Sequence, residues 1–228
     1  TPQETRVASI ENGVLQEVVV ERSRNRGLVG NIYLGRVNRV LPGMGAAFLD
    51  VGLDRTGFLH VSDIAQADKI ADANGGDVPI EQVLNEGQQL LVQVTKDPLG
   101  TKGARLTTFL SIPSRYLVFM PHSTSLGISQ RIENDDERRR LRELLIELEP
   151  ALDNVEIDEY AAGADASTAD PECLGPVKTR ESGGYIARTA AEGATSNEIR
   201  DDMAFLQRLW QSISARIEAA TVPSVIYE

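Results

Sequence analysis

Cysteine, histidine and tryptophan are nearly missing from this 228-residue chain, which holds one Cys, two His and one Trp. A lone thiol, Cys173, forms no disulfide within the chain, so a disulfide scaffold is excluded. One Cys and two His also supply too few soft ligands for a Cys/His zinc site here. No run approaches the roughly 18 consecutive apolar residues of a membrane span, and no basic, apolar and small-residue leader opens the chain. These absences predict a cytoplasmic protein without a membrane partner. Thr1 stands where a methionine begins a gene product, which implies residues before it. What is present is ordinary: 41% hydrophobic and 25% charged residues. That balance excludes a disordered or collagen-like chain and suffices for one or two domains with a real core.

Charge is lopsided. The chain carries 23 basic and 34 acidic residues, a net −11. Taken whole, that argues against a nucleic-acid binder, which shows a basic footprint. The positions of the charges point elsewhere. Residues 1–109 hold 11 basic and 13 acidic side chains, a net of −2, whereas residues 147–181 hold 2 and 10, a net of −8. The acidity therefore sits in one Ala-, Asp-, Gly- and Ser-rich stretch with Pro171 and Pro176, which reads as a solvated insertion at about 150–180. An acidic segment that mimics RNA or binds a partner is the other reading.

The fold class is α+β. ETRVASIE and VLQEVVVE flank Asn12-Gly13, a strong hairpin signal. A basic, Gly-containing joint at 23–31, with Ser23, Arg24, Asn25, Arg26 and Gly27, follows. From 29 to 63 the chain is strand-dense: NIYLGRVNRVL with Ile32, Leu34, Val37 and Val40 on apolar positions, then the PGMG turn, AAFLDVG, and GFLHVSDI. Residues 64–85 read as a polar loop with a short helix. QLLVQVTKD and ARLTTFLS add two strands about the PLGTKG turn. Five short strands with one long connection after the third predict an OB-type closed barrel. SRYLVFMP is a further strand. Residues 134–149 predict a helix, with Asn134 as cap, Glu137 three residues on as in a capping box, and a Leu141, Leu144, Leu145, Leu148 stripe. GYIARTAAEG gives a short strand and loop. Residues 196–220 predict a longer helix whose seam is Ile199, Met203, Leu206, Trp210, Ile213 and Ile217, read as a packing stripe within the chain.

Two groups of side chains carry candidate chemistry. Phe48 and Phe58 lie on adjacent strands joined by a tight turn. Alternation does not say which face is wet, so core packing and base stacking both stand. Lys102, in the GTKG turn, offers a point charge for a phosphate. His60 reads as a structural histidine, with stacking on a base as the alternative. Arg188 and Thr189 sit side by side after a strand, a planar fork plus a hydroxyl that suits a phosphate. The plain alternative is a surface pair.

Several long motifs, in order, resemble one family. They are NGVLQEVVVERSRNRGLVGNIY, GNIYLGRVNRVLPGMGAAFLDVGLDRTGFLHVSDI, VQVTKDPLGTKGARLTTFLSIPSRYLVFMP, GISQRIE and YIARTAAEG. They resemble the N-terminal part of the RNase E/RNase G endoribonucleases, and DPLGTKGARLTT, SRYLVFMP and RTAAEG favour its ribonuclease G branch. The resemblance implies a five-stranded OB-type (ribosomal-protein-S-one type) barrel inserted in an RNase H-like subdomain, then an α/β 5′-sensor subdomain. Residues 1–28 become the RNase H-like hairpin, 29–110 the RNA-binding barrel, 111–222 the sensor with its acidic insertion, and 223–228 the return toward the RNase H-like part. The catalytic DNase I-like subdomain, with its magnesium (Mg) carboxylates, and the paired-cysteine zinc (Zn) link fall outside this sequence. The resemblance therefore implies an inactive fragment, monomeric alone and homo-oligomeric when intact.

It also implies site roles. Phe48, Phe58 and Lys102 match RNA-contacting positions, and Arg188 and Thr189 match the pair that holds the 5′-monophosphate of single-stranded RNA. Val118 matches a backbone contact of that pocket. Ser114 stands where ribonuclease E has glycine, and Gln130 where it has arginine, with Arg131 beside it. The implied activity is magnesium-dependent hydrolysis of single-stranded RNA in ribosomal-RNA maturation and messenger-RNA turnover. The alternatives are a non-catalytic RNA-binding module or ribosome-associated factor, and a protein-interaction scaffold built on the acidic insertion.

Other residues look functional and read otherwise. Asp135, Asp136 and Glu137 resemble a metal cluster but occupy a helix start, where acids suit the dipole. Arg138, Arg139, Arg140 and Arg142 read as partners for nearby carboxylates, with an RNA-facing patch as the alternative. GMG is too short for a nucleotide loop and GTKG lacks the Walker order. Cys173 has no histidine near it in sequence and receives no catalytic role.

Overall fold

The computed structural model describes residues 4–11, 14–22, 27–65, 67, 78–121, 123, 125–149 and 183–228. The Asn12-Gly13 turn, residues 23–26 of the basic joint and most of the acidic segment, Cys173 included, lie outside the described residues.

The two β-branched runs at the start form β1 (Glu4–Glu11) and β2 (Val14–Arg22), an antiparallel pair with Glu4 opposite Arg22. Next come β3 (Ile32–Leu41), β4 (Ala46–Asp50), β5 (Gly57–His60), β6 (Gln89–Lys96) and β7 (Arg105–Thr107). Their order is β3-β4-β5-β7-β6, and β6 pairs back onto β3. The sheet therefore closes on itself as a five-stranded barrel consistent with the OB type, and closure removes exposed strand edges. Only β5 and β7 pair in parallel within it. Tyr33, Val37, Leu49, Leu59, Val92 and Leu106 fill the interior.

One expectation is refined here. The connection after β5 is not wholly polar loop: a 3-10 turn at Ile80–Gln82 brings Ile80, Val83 and Leu84 into the barrel core. Their spacing of three and four is that of one helical turn. The apolar positions of β3 do not share a face. Tyr33 and Val37 point into the barrel, while Ile32 and Leu34 lie in a second core on its outside. The reason is coverage: Leu110, Ile112 and, from β12 (Ser224–Tyr227), which pairs along the edge of β3, Ile226 belong to the same core as Ile32 and Leu34, so the first half of β3 is buried on both faces. Gly35 permits the close approach of the end of β4, because a Cβ there would stand 2.9 Å from Val51 Cγ1 and 3.1 Å from the Asp50 carbonyl.

The second core belongs to a four-stranded sheet and two helices. β8 (Ile112–Pro113), β9 (Leu117–Met120), β10 (Leu126–Ile128) and β11 (Gly184–Ala187) are ordered β10-β11-β9-β8. The first helix, α1 (Asp135–Leu148), is capped by the Asn134 side chain, which accepts from the N–H groups of Asp136 and Glu137. Glu137 does not close a capping box; its carboxylate is drawn away by Arg140 and by the Gly193 N–H. The second helix, α2 (Ser196–Ala219), starts with a full capping box of Thr195 and Glu198. All six residues of its expected seam are buried. Trp210 packs against Phe119 at 6.0 Å between centroids, and Phe119 against Tyr185 at 5.1 Å.

One buried amide joins the two parts. Gln93, on the outside of β6, donates from Nε2 to the carbonyls of Gly30 and Ser111, both at 2.9 Å. Its Oε1 accepts from the Ser111 N–H at 2.8 Å. The chain thus begins and leaves the barrel at one clamp.

Candidate nucleic-acid interface

Phe48 on β4 and Phe58 on β5 stand directly opposite each other. Their rings meet edge to face, 6.0 Å between centroids and 64° between planes. Their strand neighbours Ala47, Leu49 and Leu59 are fully buried in the barrel core, whereas both phenylalanines are only half-buried. Period-two alternation therefore sends this pair to the outer face. Aromatic rings at a wet surface are the kind of platform that can take a stacked base.

His60 lies two residues beyond Phe58 and shares its face. Its Nδ1 accepts from the Ser62 N–H at 3.2 Å and lies 2.8 Å from the Ser62 hydroxyl. A backbone N–H can only donate, so the neutral ring carries its proton on Nε2.

Lys102 is exposed in a tight turn in which Leu99 and Lys102 exchange backbone hydrogen bonds of 3.0 and 3.2 Å. The turn is pinned to the loop between β4 and β5. Arg55 donates to the Gly100 carbonyl, and a Cβ on Gly103 would stand 1.9 Å from the Thr56 carbonyl. Only glycine fits, so the lysine is held beside the start of β5, the strand that carries Phe58.

The second group assembles where β8, β10 and β11 end and β9 begins. The Arg188 N–H donates to the Tyr116 carbonyl at 2.8 Å, and its guanidinium donates to the Ser114 carbonyl. The Thr189 and Ser129 hydroxyls are 3.0 Å apart. Arg188, Thr189 and Ser114, distant in sequence, thus come together, and Ser129 joins them unforeseen. Val118 sits in the middle of β9, half-buried, paired with Ile186 on one side and Pro113 on the other.

The walls of this site come from the helices. Asp202 on α2 accepts the N–H groups of Tyr116 at 3.0 Å and Leu117 at 2.9 Å, and the Ser114 hydroxyl as well. The Tyr116 hydroxyl donates to Glu198 at 2.9 Å. Glu198 is held down to about 2, first by the Thr195 N–H, then by the Thr195 and Tyr116 hydroxyls. The same bond raises Tyr116 above its ordinary range. On the other side, Arg138 donates to the Ser129 carbonyl at 2.9 Å and the Ile132 carbonyl at 3.2 Å. Glu137 accepts the Gly193 N–H at 2.8 Å and is lowered to about 2, chiefly by Arg140. Glu198 stands at capping-box spacing from Thr195, but nothing in the spacing of Ser129 or Asp202 marks them; the pairing of β10 with β11 and the docking of α2 bring them here.

The acidic run at the start of α1 pairs with arginines of its own helix: Asp136 with Arg139 at 3.3 Å and Glu137 with Arg140 at 2.6 Å. Among the described residues, no three or more His, Cys, Asp or Glu gather as a metal site. No described helix is long and apolar enough to cross a membrane.

Known proteins share this sequence along its whole length. The chain is 45% identical over 231 residues to Ribonuclease G of Haemophilus influenzae, covering 100% of this chain and 41% of that protein. It is 46% identical over 220 residues to Ribonuclease G of Escherichia coli K12, covering 95% of this chain and 39% of that one. Ribonuclease E of Escherichia coli K12 is more distant, 33% identical over 228 residues, or 19% of its own length. The chain thus spans about two fifths of the length of these ribonuclease G relatives. A sequence model described as the Ribonuclease E/G family matches residues 111–228, the part that holds the Arg188 and Thr189 cluster. With an aromatic pair outside a closed barrel and that matched region after it, the chain corresponds to a portion of these longer relatives and belongs to the ribonuclease E/G family.

Proposed function

We propose that this chain is the RNA-binding and 5′-end-sensing portion of a ribonuclease G-like endoribonuclease that acts in the cytoplasm on ribosomal and messenger RNA. The observation that carries the reading is the Phe48 and Phe58 pair, held outside the barrel core. Each base stacked on such a ring is worth about 1–3 kcal/mol and is read without regard to sequence. Lys102 contributes a charge toward the strand's phosphates.

Arg188 and Thr189 hold the terminal phosphate. One N–H of the Arg188 guanidinium is fixed by the Ser114 carbonyl, and the remaining donors of the fork, which have no partner among the described residues, can take phosphate oxygens. In the Thr189 and Ser129 pair, one hydroxyl hydrogen is used between the two and the other remains for a ligand. A 5′-hydroxyl leaves the arginine unpaired, and a triphosphate exceeds a pocket shaped for one phosphate. Anchoring RNA at two places raises its effective concentration for cleavage. In this reading hydrolysis belongs to magnesium-binding carboxylates outside these residues, within an intact homo-oligomer; residues 1–28 and 223–228 are parts of an RNase H-like subdomain.

The test compares one short single strand bearing a 5′-monophosphate, 5′-hydroxyl or 5′-triphosphate. The monophosphate should bind at least about tenfold more tightly, a difference of about 1.4 kcal/mol, and Arg188→Ala should abolish that preference. Equal binding of all three ends by the parent removes the sensor from the reading and leaves the barrel.

A further inference from the structure

The strand registers place one side chain from each barrel strand in a single outward line. Arg39 on β3 is opposite Phe48, Phe48 is opposite Phe58, Phe58 is opposite Arg105 on β7, and Arg105 is opposite Lys96 on β6. Side chains in register share a face. Ala47, Leu49, Leu59 and Leu106, which adjoin the line along the strands, face the core. Two irregularities create the flanks. The register shifts between Val37 and Arg39, and again between Val94 and Lys96. Without those bulges Asn38 and Thr95 would stand opposite Phe48 and Arg105; with them, two cations do. Bulges re-aim side chains in this way, and often do so beside functional sites.

The three cations differ. Arg105 is spoken for, since its Nε and Nη2 both donate to Asp63 Oδ2, at 3.1 and 2.9 Å. Arg39 and Lys96 are exposed and carry no ion pair among the described residues. With neighbouring strands about 4.8 Å apart, the line from Arg39 to Lys96 runs about 19 Å around the barrel. It presents charge, two rings, a neutralised pair and charge.

We propose that Arg39 and Lys96 are phosphate-binding residues that bracket the aromatic platform, so that single-stranded RNA crosses the barrel from β3 to β6 with its bases on Phe48 and Phe58. This rests on the RNA reading of the barrel. Bare cations at both ends of a stacking surface bind the polyanion's backbone and release its counterions.

The experiment measures binding of a 5′-hydroxyl oligouridine, which leaves the Arg188 pocket aside, as a function of salt. Variants are Arg39→Gln, Lys96→Gln, Phe48→Ala, Phe58→Ala and, as a charge control on α2, Arg208→Gln. Each lost phosphate contact should lower the slope of log K against log salt by about 0.7, or about fivefold in affinity at 0.1 M relative to 1 M salt. Arg39→Gln and Lys96→Gln should each show that change, Arg208→Gln should not, and the phenylalanine variants should lose affinity at unchanged slope. Parent-like slopes for Arg39→Gln and Lys96→Gln beside weakened phenylalanine variants overturn the bracket and leave the stacking platform standing. Parent-like binding by both phenylalanine variants overturns the RNA reading of the barrel, and the bracket falls with it.

Discussion

The Asp202 carboxylate on α2 closes on the Ser114 hydroxyl, across 88 positions of sequence, and takes the N–H groups of Tyr116 and Leu117 with the same oxygen. The turn whose carbonyl holds Arg188 is thus shaped by a side chain from a distant helix. Asp202→Ala strands two amides and leaves the Ser114 hydroxyl only the Leu117 carbonyl, 3.0 Å away. Hydrogen bonds to a charged group are worth about 1.5–3 kcal/mol, so urea unfolding should show a loss of at least that size. The 5′-monophosphate preference should fall with it, while affinity for a 5′-hydroxyl strand should hold.

Phe48→Ala and Phe58→Ala should separate function from stability. The rings lie outside the barrel core, so each variant should unfold at nearly the parent's urea midpoint while RNA affinity drops about 5- to 150-fold, the equivalent of about 1–3 kcal/mol. Leu49→Ala and Leu59→Ala, one residue away and fully buried, should do the reverse and cost about 2–5 kcal/mol of stability. A phenylalanine variant as unstable as Leu59→Ala would return the rings to a packing role.

Local pattern made much of this legible. The seam of α2, the leucine stripe of α1 and the five barrel strands all follow from periodicity and turn residues. Periodicity failed wherever an element is covered twice. Ile32 and Tyr33 are adjacent and both buried, because β3 separates two cores, and no alternation can announce that. The site was legible as residue types but not as neighbours. Which face Phe48 takes depends on its parity with Leu49. The placing of Arg39 beside it depends on a bulge at Asn38, and nothing in RVNRVL encodes that shift by itself. Ser129 and Asp202 reach the Arg188 and Thr189 cluster only through the docking of β10 and α2 against the sheet.

Gln93 tests whether the barrel and the second core are energetically joined. Its side chain is buried, and its amide satisfies the Gly30 and Ser111 carbonyls and the Ser111 N–H. Gln93→Leu keeps the volume and removes all three bonds, leaving groups that cost about 1–3 kcal/mol each when unsatisfied. Chemical unfolding should show a loss of at least about 2 kcal/mol. A neutral result would mean that water reaches Gly30 and Ser111 and that the clamp is incidental.

Acid should loosen the four-stranded sheet and its two helices before the barrel. Glu137 and Glu198 stand at about 2 in the folded chain against an ordinary 4.5, held respectively by Arg140 and by the Thr195 N–H. A carboxyl depressed on folding stabilises fully above its unfolded value, and that contribution drains away as pH falls through the folded one. Stability should therefore be flat from pH 7 to about 5 and decline between about 4.5 and 2. Tyr185 works from the other end. Burial pushes it to about 12 from an ordinary 10, so its contribution is complete below pH 10 and is lost as pH climbs toward 12. Urea midpoints taken across the acid range should show the decline in the parent and a shallower one in Glu137→Gln, whose amide no longer titrates. The Glu137→Gln midpoint at pH 7 should already be lower, because the charge facing Arg140 and the Gly193 N–H is gone. An acid limb equally steep in parent and variant would assign the acid sensitivity to other carboxylates.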